Sequence, residues 1–413
     1  MMKNFRILSL FTALMPLMLS AQTVSFGDFI RAVGKYNASA VAERYNLDIA
    51  SANLRASRVF NDPELAVTYG NNQDWDLMMG QNVDVELGYN FSLGGVRRAR
   101  MNVSMSEKEM TDASVDAFMC NLRAEASIAW SEAWKLKKRA ELAALESELM
   151  EKVAYGDSIR LSLGDISWSD AMQSALEART LRGEALSLMT EYRNSLMGLS
   201  LLAGGMELED IEDELNGEKE ADRSLEELYE IALAERADLK VAELSHQLSD
   251  RNLNLIKASR AMELGVTLGY SFNKEVRNEI APAPQFHGFT VGVSIPLKFS
   301  SFNKGEVNAA KASVDQRKVY LDAAVSQVKM EVGQAYNSFV AAGKILSEYS
   351  EDIIKSASEI LESRRIGYAN GDSSFTEFLS AQYTFDDVMS SYIDAECEYF
   401  RSTVLLNQSV GRY

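Results

Sequence analysis

The sequence predicts a mainly helical fold with a small β part, in which long antiparallel helical hairpins accompany four strands. All five prolines lie outside residues 64–281 and 297–413, two intervals in which an interior proline would break a helix. Apolar side chains recur at two periods, every three or four residues over long stretches and every second residue over four short ones. The first period indicates helices, and the second indicates strands with two different faces.

The helical period runs from about residue 97 to about residue 160 and again from about residue 304 to about residue 368. Phe118, Leu122 and Ala126 begin the first run of apolar residues, and Val325 and Val328 begin the second. Such narrow seams are typical of helices that pack against other helices. We therefore expect each stretch to be a single long helix whose seam serves packing rather than ligand binding.

The strands alternate apolar and polar residues. In the second strand, Val83, Val85 and Leu87 alternate with Asp84 and Glu86, and the pattern continues to residue 93. Segments at residues 65–69, 264–272 and 289–299 repeat it. The length and pattern are those of outer-membrane barrel strands, apolar toward lipid and polar toward a wet lumen. An antiparallel sheet with one face on a soluble core would show the same alternation.

The number of strands limits what a single chain can build. A transmembrane barrel needs about eight strands when one chain forms it, and an open sheet edge in lipid is prohibitively costly. If the four strands cross a membrane, several copies must share one barrel. The polar faces supply six candidate lumen residues, whose alternative role is a water-facing sheet surface: Thr68, Asp84, Glu86, Asn90, Thr267 and Ser271.

The chain contains an internal duplication. Glu-Leu-Ala-Val-Thr-Tyr-Gly at residues 64–70 recurs as Glu-Leu-Gly-Val-Thr-Leu-Gly at residues 263–269, and each copy follows a helical segment opened by Ser25 or Ser224. We expect two tandem repeats, at about residues 24–205 and 223–413, with the order helix, strand, loop, strand, very long helix, turn, long helix. An acidic segment, residues 206–222, joins them.

The first residues predict export. Lys3 and Arg6 precede an apolar stretch at residues 7–19, and Ser20 and Ala21 supply the small residues of a cleavage site. We expect residues 1–21 to be a secretory signal peptide and residues 22–413 to form the mature protein. A membrane anchor is the alternative, although the stretch is shorter than the ~20 residues that span a bilayer.

Composition excludes several function classes. The formal net charge of −18 disfavours a nucleic-acid partner. With two histidines and no metal-ligand cluster or glycine-rich phosphate loop, the sequence predicts neither an enzyme nor a bound cofactor or metal. Cys120 and Cys397 are the only cysteines, so a single disulfide is conceivable, although small buried helix residues are the more common reading.

Taken over residues 25–411, the sequence resembles the TolC family of outer-membrane efflux proteins. The resemblance is carried by Asp62-Pro63-Glu64-Leu65, by the turn Tyr368-Ala369-Asn370-Gly371 and by the run Phe378-Leu379-Ser380-Ala381-Gln382. Leu93-Gly94-Gly95 and Ser294-Ile295-Pro296-Leu297 resemble its heavy-metal branch, the CzcC-like and CusC-like proteins, with a departure at Lys298 where proline is common.

The resemblance implies a homotrimer in the outer membrane of a Gram-negative bacterium. Four transmembrane strands from each chain would form a shared 12-stranded β-barrel, and the long hairpins would form a periplasmic α-barrel. Such a protein is the passive exit duct of a tripartite, RND-type efflux system. Its partners are a periplasmic adaptor, an inner-membrane pump and outer-membrane lipid, and metal cations are a candidate substrate. A periplasmic coiled-coil adaptor or scaffold is the alternative function.

The same resemblance places the periplasmic tip at the turns between the long helices. Gly164, Asp165, Gly371 and Asp372 would form these turns and contact the adaptor, and Ser167 or Ser373 would cap the helix that follows. Asp170 and Glu377, six residues beyond each glycine, are candidate gate carboxylates that would attract cations. They could instead be solvated first-turn acids, which the helix dipole favours.

Overall fold

A computed structural model describes residues 23–73, 78–215, 223–299 and 304–413. The expected signal peptide at residues 1–21 lies outside these residues. The elements in chain order are α1 (Phe26–Tyr36), α2 (Ala38–Ser57), β1 (Glu64–Gln73), β2 (Met78–Ser92), α3 (Val96–Leu163), α4 (Trp168–Leu202), α5 (Leu225–Glu235), α6 (Ala237–Ser259), β3 (Glu263–Asn273), β4 (Phe286–Ser294), α7 (Gly305–Glu348), α8 (Glu351–Asn370) and α9 (Phe375–Ser409). The mainly helical fold with a small antiparallel sheet is confirmed.

The chain forms two compact units, and each takes segments from both halves of the sequence. Among the described residues, unit 1 contains residues 23–37, 125–215 and 342–401, and unit 2 contains residues 38–124, 223–341 and 402–413 with the gaps stated above. Unit 1 therefore holds the turns between the long helices, and unit 2 holds the sheet. The division into two tandem sequence repeats stays a prediction.

The sheet in unit 2 is fully antiparallel, in the order β1-β2-β3-β4. Its register aligns like side chains across all four strands, since Leu65, Leu87, Leu268 and Val291 occupy successive pairing positions. The neighbouring pairing row, on the opposite face, contains Glu86 and Thr290. Because successive side chains alternate between faces, one face is apolar and the other polar.

The apolar face of the sheet is exposed in the single chain. Leu65 is 66% exposed, Val67 65%, Phe289 84% and Val291 74%. A sheet that packed this face on a soluble core would bury these side chains, so the alternative of a sheet on a soluble core does not describe the chain. Contiguous exposed apolar surface of this kind marks a face that lipid or another protein covers.

One expected helix is interrupted. The stretch at about residues 304–368 was expected to be continuous, but the structure has α7 ending at Glu348 and α8 beginning at Glu351. Between them Ser350 has extended backbone angles, φ −67° and ψ 156°, and its carbonyl accepts hydrogen bonds from the backbone of Ile353 and Ile354. The Ser350 side chain makes no capping hydrogen bond, so the restart of the helix rests on the extended backbone and on these bonds to its carbonyl.

The opening helix of each half is also divided in two. α1 and α2 are separated at Asn37, whose side-chain amide donates to the backbone carbonyl of Leu202 at 3.0 Å in unit 1. α5 and α6 are separated at Arg236, which donates to the carbonyl of Ser409 at 3.2 Å in unit 2. In both places a polar side chain at the break holds the end of a later long helix. Ser25 and Ser224 cap α1 and α5 as expected.

Within the described ranges, no helix combines the length and the apolar character needed to cross a bilayer. Both cysteines are free thiols, so the conceivable disulfide is not formed.

Candidate gate and lumen sites

The two turns in unit 1 have the same geometry. α3 ends before Gly164 and α8 ends before Gly371, and both glycines have φ of +83°. The residue after each glycine closes the helix end, because the amide of Asp165 donates to the carbonyl of Arg160 at 2.9 Å and that of Asp372 to Gly367 at 2.8 Å. Only glycine adopts this left-handed conformation without strain, so the two turns are fixed by their sequence.

Serine caps both helices that leave the turns. The Oγ of Ser167 accepts a hydrogen bond from the amide of Asp170, as expected for α4. For α9 the expectation of Ser373 was wrong, because the Oγ of Ser374 accepts from the amide of Glu377 at 3.3 Å. α9 begins at Phe375, so Ser374 is the residue that stands at the N-cap position.

Each candidate gate acid lies in the first turn of its helix. Asp170 is half-buried on α4, and Glu377 is exposed on α9. The Glu377 carboxylate accepts from the amide of Ser374 at 3.2 Å, which completes a capping box, and lies 3.7 Å from the Arg364 guanidinium. Glu377 therefore has the local role that was the alternative to a gate, that of an exposed acid in the first turn of its helix. The gate role of Asp170 and Glu377 stays a prediction.

A polar contact that the sequence did not point to lies close by in unit 1. The hydroxyl of Tyr368, on α8, donates to Oδ2 of Asp157, on α3, at 2.8 Å, and both side chains are buried. Arg160 donates to the carbonyl of Tyr368 at 3.3 Å and lies over its ring at 5.3 Å. Burial, followed by the neighbouring Asp157, raises the pKa of the Tyr368 phenol, so it remains a hydrogen-bond donor. We call Asp157, Arg160 and Tyr368 the tip latch.

The tip latch rests on an apolar core. Tyr368 packs with Phe375 and Phe378, and its ring is stacked on that of Phe378 with centroids 5.9 Å apart. Met150 from α3 and Leu181 from α4 complete this core. Helices from both hairpins of unit 1 therefore meet at the tip latch through packing and through a buried hydrogen bond.

The six candidate lumen residues share the polar face of the sheet. Thr68 pairs with Asp84, and Asp84 pairs with Ser271 on the next strand, so these three lie in one row. Glu86, Asn90 and Thr267 lie on the same face in further rows. The six residues thus contribute two carboxylates and four neutral polar groups to this face. In the part of the chain that the structure describes, no group of three or more His, Cys, Asp or Glu side chains could hold a metal ion.

Comparison with known proteins agrees with this architecture. Residues 228–412 match the family described as outer membrane efflux protein. A curated relative, the cobalt-zinc-cadmium resistance protein CzcC of Cupriavidus metallidurans, is 21% identical over 387 residues, which is 93% of this chain and 88% of CzcC.

Solved structures show the same fold. The CusC structure has a TM-score of 0.76 at 15% identity, covering 93% of this chain and 91% of that one. The outer membrane protein VceC of Vibrio cholerae has a TM-score of 0.72 at 14% identity, covering 93% and 95%.

The long helices and the two-faced sheet are therefore the fold of the solved outer-membrane channels. The second half of the chain matches the outer membrane efflux protein family, and CzcC aligns along nearly the whole chain, so the predicted resemblance is confirmed.

Proposed function

We propose that this protein is the passive outer-membrane exit duct of a tripartite efflux system of a Gram-negative bacterium. The observation that carries the proposal is the sheet, whose apolar face is uncovered in the single chain while its opposite face is polar. Lipid would cover the apolar face, and water would solvate the polar face. An inner-membrane pump of the RND type would supply energy, and a periplasmic adaptor would connect it to the duct.

The edges of the sheet support a shared barrel. β1 and β4 are the outer strands of the described sheet, so each presents one edge of backbone donors and acceptors. Unpaired backbone groups cost several kcal/mol each in hydrocarbon, roughly the figure for burying an unbonded amide. Pairing β4 of one copy with β1 of the next would satisfy them. Three copies would give a 12-stranded barrel, with Thr68, Asp84, Glu86, Asn90, Thr267 and Ser271 lining its lumen.

The turns of unit 1 would form the periplasmic tip. Gly164, Asp165, Gly371 and Asp372 would contact the adaptor there, and Asp170 and Glu377 would ring the mouth in three copies. The tip latch holds α3 to α8, so the mouth would widen when docking separates the hairpins and breaks the bond between Asp157 and Tyr368. Repulsion within a ring of carboxylates would favour the open state.

Metal cations are the proposed substrate class. CzcC is named for resistance to cobalt, zinc and cadmium, and this chain aligns with it along nearly its whole length. The carboxylates Asp84 and Glu86 on the lumen face and Asp170 and Glu377 at the mouth would concentrate cations without binding them tightly. A duct needs such weak sites, because a tight site would stop transport.

The test is single-channel conductance of the protein in planar bilayers. We expect the double variant Asp170→Asn/Glu377→Gln to need about tenfold more of a multivalent cation for half-block, a change equivalent to about 1.4 kcal/mol. The amides keep the local geometry of both helix starts and remove only the charge. The matched control is Glu226→Gln/Glu230→Gln, which removes the same charge from exposed positions of α5. Equal block in both double variants would contradict the gate assignment.

A further inference from the structure

A buried carboxyl group lies in the helical body of unit 1, away from the turns. Glu146 on α3 is 7% exposed, and its Oε1 has no hydrogen-bond partner in the part of the chain that is described. Gln382 on α9 is 1% exposed, and neither its amide nitrogen nor its amide oxygen has a partner among those residues. Buried polar groups are nearly always hydrogen-bonded in folded proteins, so these unpaired atoms call for an explanation.

The packing of α3 on α9 brings Glu146 and Gln382 to the same position along the helix pair. The thiol of Cys397 donates to the carbonyl of Ser131, and Arg139 donates to Asp394. Further along, Met150 shares a core with Phe378. The two helices therefore run antiparallel, and interpolation between these contacts places Glu146 beside the turn of α9 that contains Gln382 and Asp386.

The charges that act on Glu146 have the same sign as its own. Asp386 on α9 and Glu184 on α4 both disfavour its ionised form, and Arg139 on α3 acts on Asp386. Burial is the largest effect, and together with the two acids it raises the pKa of Glu146 to about 8. Burial also raises the pKa of Asp386. At neutral pH Glu146 is therefore mostly a neutral carboxylic acid.

We propose that Glu146 is a proton-binding site that keeps α3 packed on α9 while it is protonated and loosens this packing when the proton leaves for solvent. A protonated carboxyl group offers a donor for the Gln382 oxygen and an acceptor for its nitrogen. An ionised one would be a buried charge on which Asp386 and Glu184, two groups of the same sign, act. The device lies within one chain and does not depend on the proposed transport function.

The direction of the pH effect follows from the raised pKa. Glu146 binds its proton more tightly in the packed state than in an open state, where its pKa would be about 4.5. Its stabilising contribution is complete below that value and is lost as the pH rises to about 8. The opening equilibrium of this interface should therefore increase with pH across that window, by at most about tenfold per pH unit.

Hydrogen–deuterium exchange of the full-length mature protein in detergent tests the proposal. Peptides that cover residues 139–153 and 378–390 are followed at pH 5.5, 7 and 8.5, with Glu146→Gln measured beside the wild type so that the intrinsic pH effect cancels. We expect the wild type to exchange faster than Glu146→Gln, and the ratio of the two rates to rise at least about threefold between pH 5.5 and pH 8.5, within the bound set by linkage. Glu148→Gln, an exposed neighbour on α3, should behave as the wild type.

A second variant separates titration from simple packing. Asp386→Asn removes one neighbouring acid and should make the rise in exchange level off at a lower pH. Wild type and Glu146→Gln with the same pH dependence would overturn the proposal. So would faster exchange in Glu146→Gln at every pH, because the carboxyl would then serve packing alone.

Discussion

At the scale of single residues, the tip latch is the most informative feature. Tyr368 and Asp157 form a buried hydrogen bond to a charged group, and such bonds contribute about 1.5–3 kcal/mol. The bond joins α8 to α3, which are distant in sequence, and it is lost if the two helices separate. In the proposed duct, this bond would contribute directly to holding the mouth shut.

Removing one oxygen atom tests the tip latch. We expect Tyr368→Phe to raise the open probability in planar bilayers about tenfold or more, because it deletes the donor to Asp157 and retains the aromatic ring. Tyr155→Phe is the control, since Tyr155 is 71% exposed on α3 in the same unit. If both variants open as rarely as the wild type, the tip latch has no part in gating.

The sequence identified the turn residues but not the tip latch, and the reason is physical. Glycine in a left-handed turn and serine at an N-cap act locally, so Gly164, Gly371 and Ser167 could be recognised from their neighbours. The partner of Tyr368 depends on tertiary packing. The sequence did carry one signal for this contact. When the two turns are aligned, Asp157 stands opposite Arg364 and Tyr368 stands opposite Leu161. The two halves therefore differ at the positions that form the tip latch.

At the scale of elements, the period of the apolar residues was a reliable guide. The two-residue period predicted all four strands, and the absence of proline permitted the 68 residues of α3. The break between α7 and α8 was not predictable, since neither proline nor glycine marks it. Ser350 makes no side-chain capping bond either, so the break has no local signal in the sequence.

The two faces of β4 provide a paired test of membrane contact. We expect Val291→Arg to reduce the amount of folded protein in the outer membrane, because a cation at mid-bilayer on the lipid face costs about 2–4 kcal/mol. Thr290→Arg places the same charge on the adjacent residue of the polar face and should assemble normally. Quantitative blotting of outer-membrane fractions measures both. Equal loss would mean that neither face is selectively in contact with lipid.

For the whole molecule, the number of strands predicted more about assembly than the pattern of residues within any one strand. Four strands with alternating faces predicted that one chain is incomplete, and the open sheet with an exposed apolar face agrees with that prediction. The composition of the two compact units could not be predicted in the same way. Each draws on segments from both halves, and the pairing of distant segments leaves no period in the sequence.

The central claim is that the sheet of one chain is completed by sister chains in a membrane. Its most direct test is the native mass of the mature protein after gentle detergent extraction, with the protein's own mass per copy measured in denaturant. We predict three copies per particle and precipitation when detergent is removed. A stable single copy that stays in solution without detergent would contradict the claim.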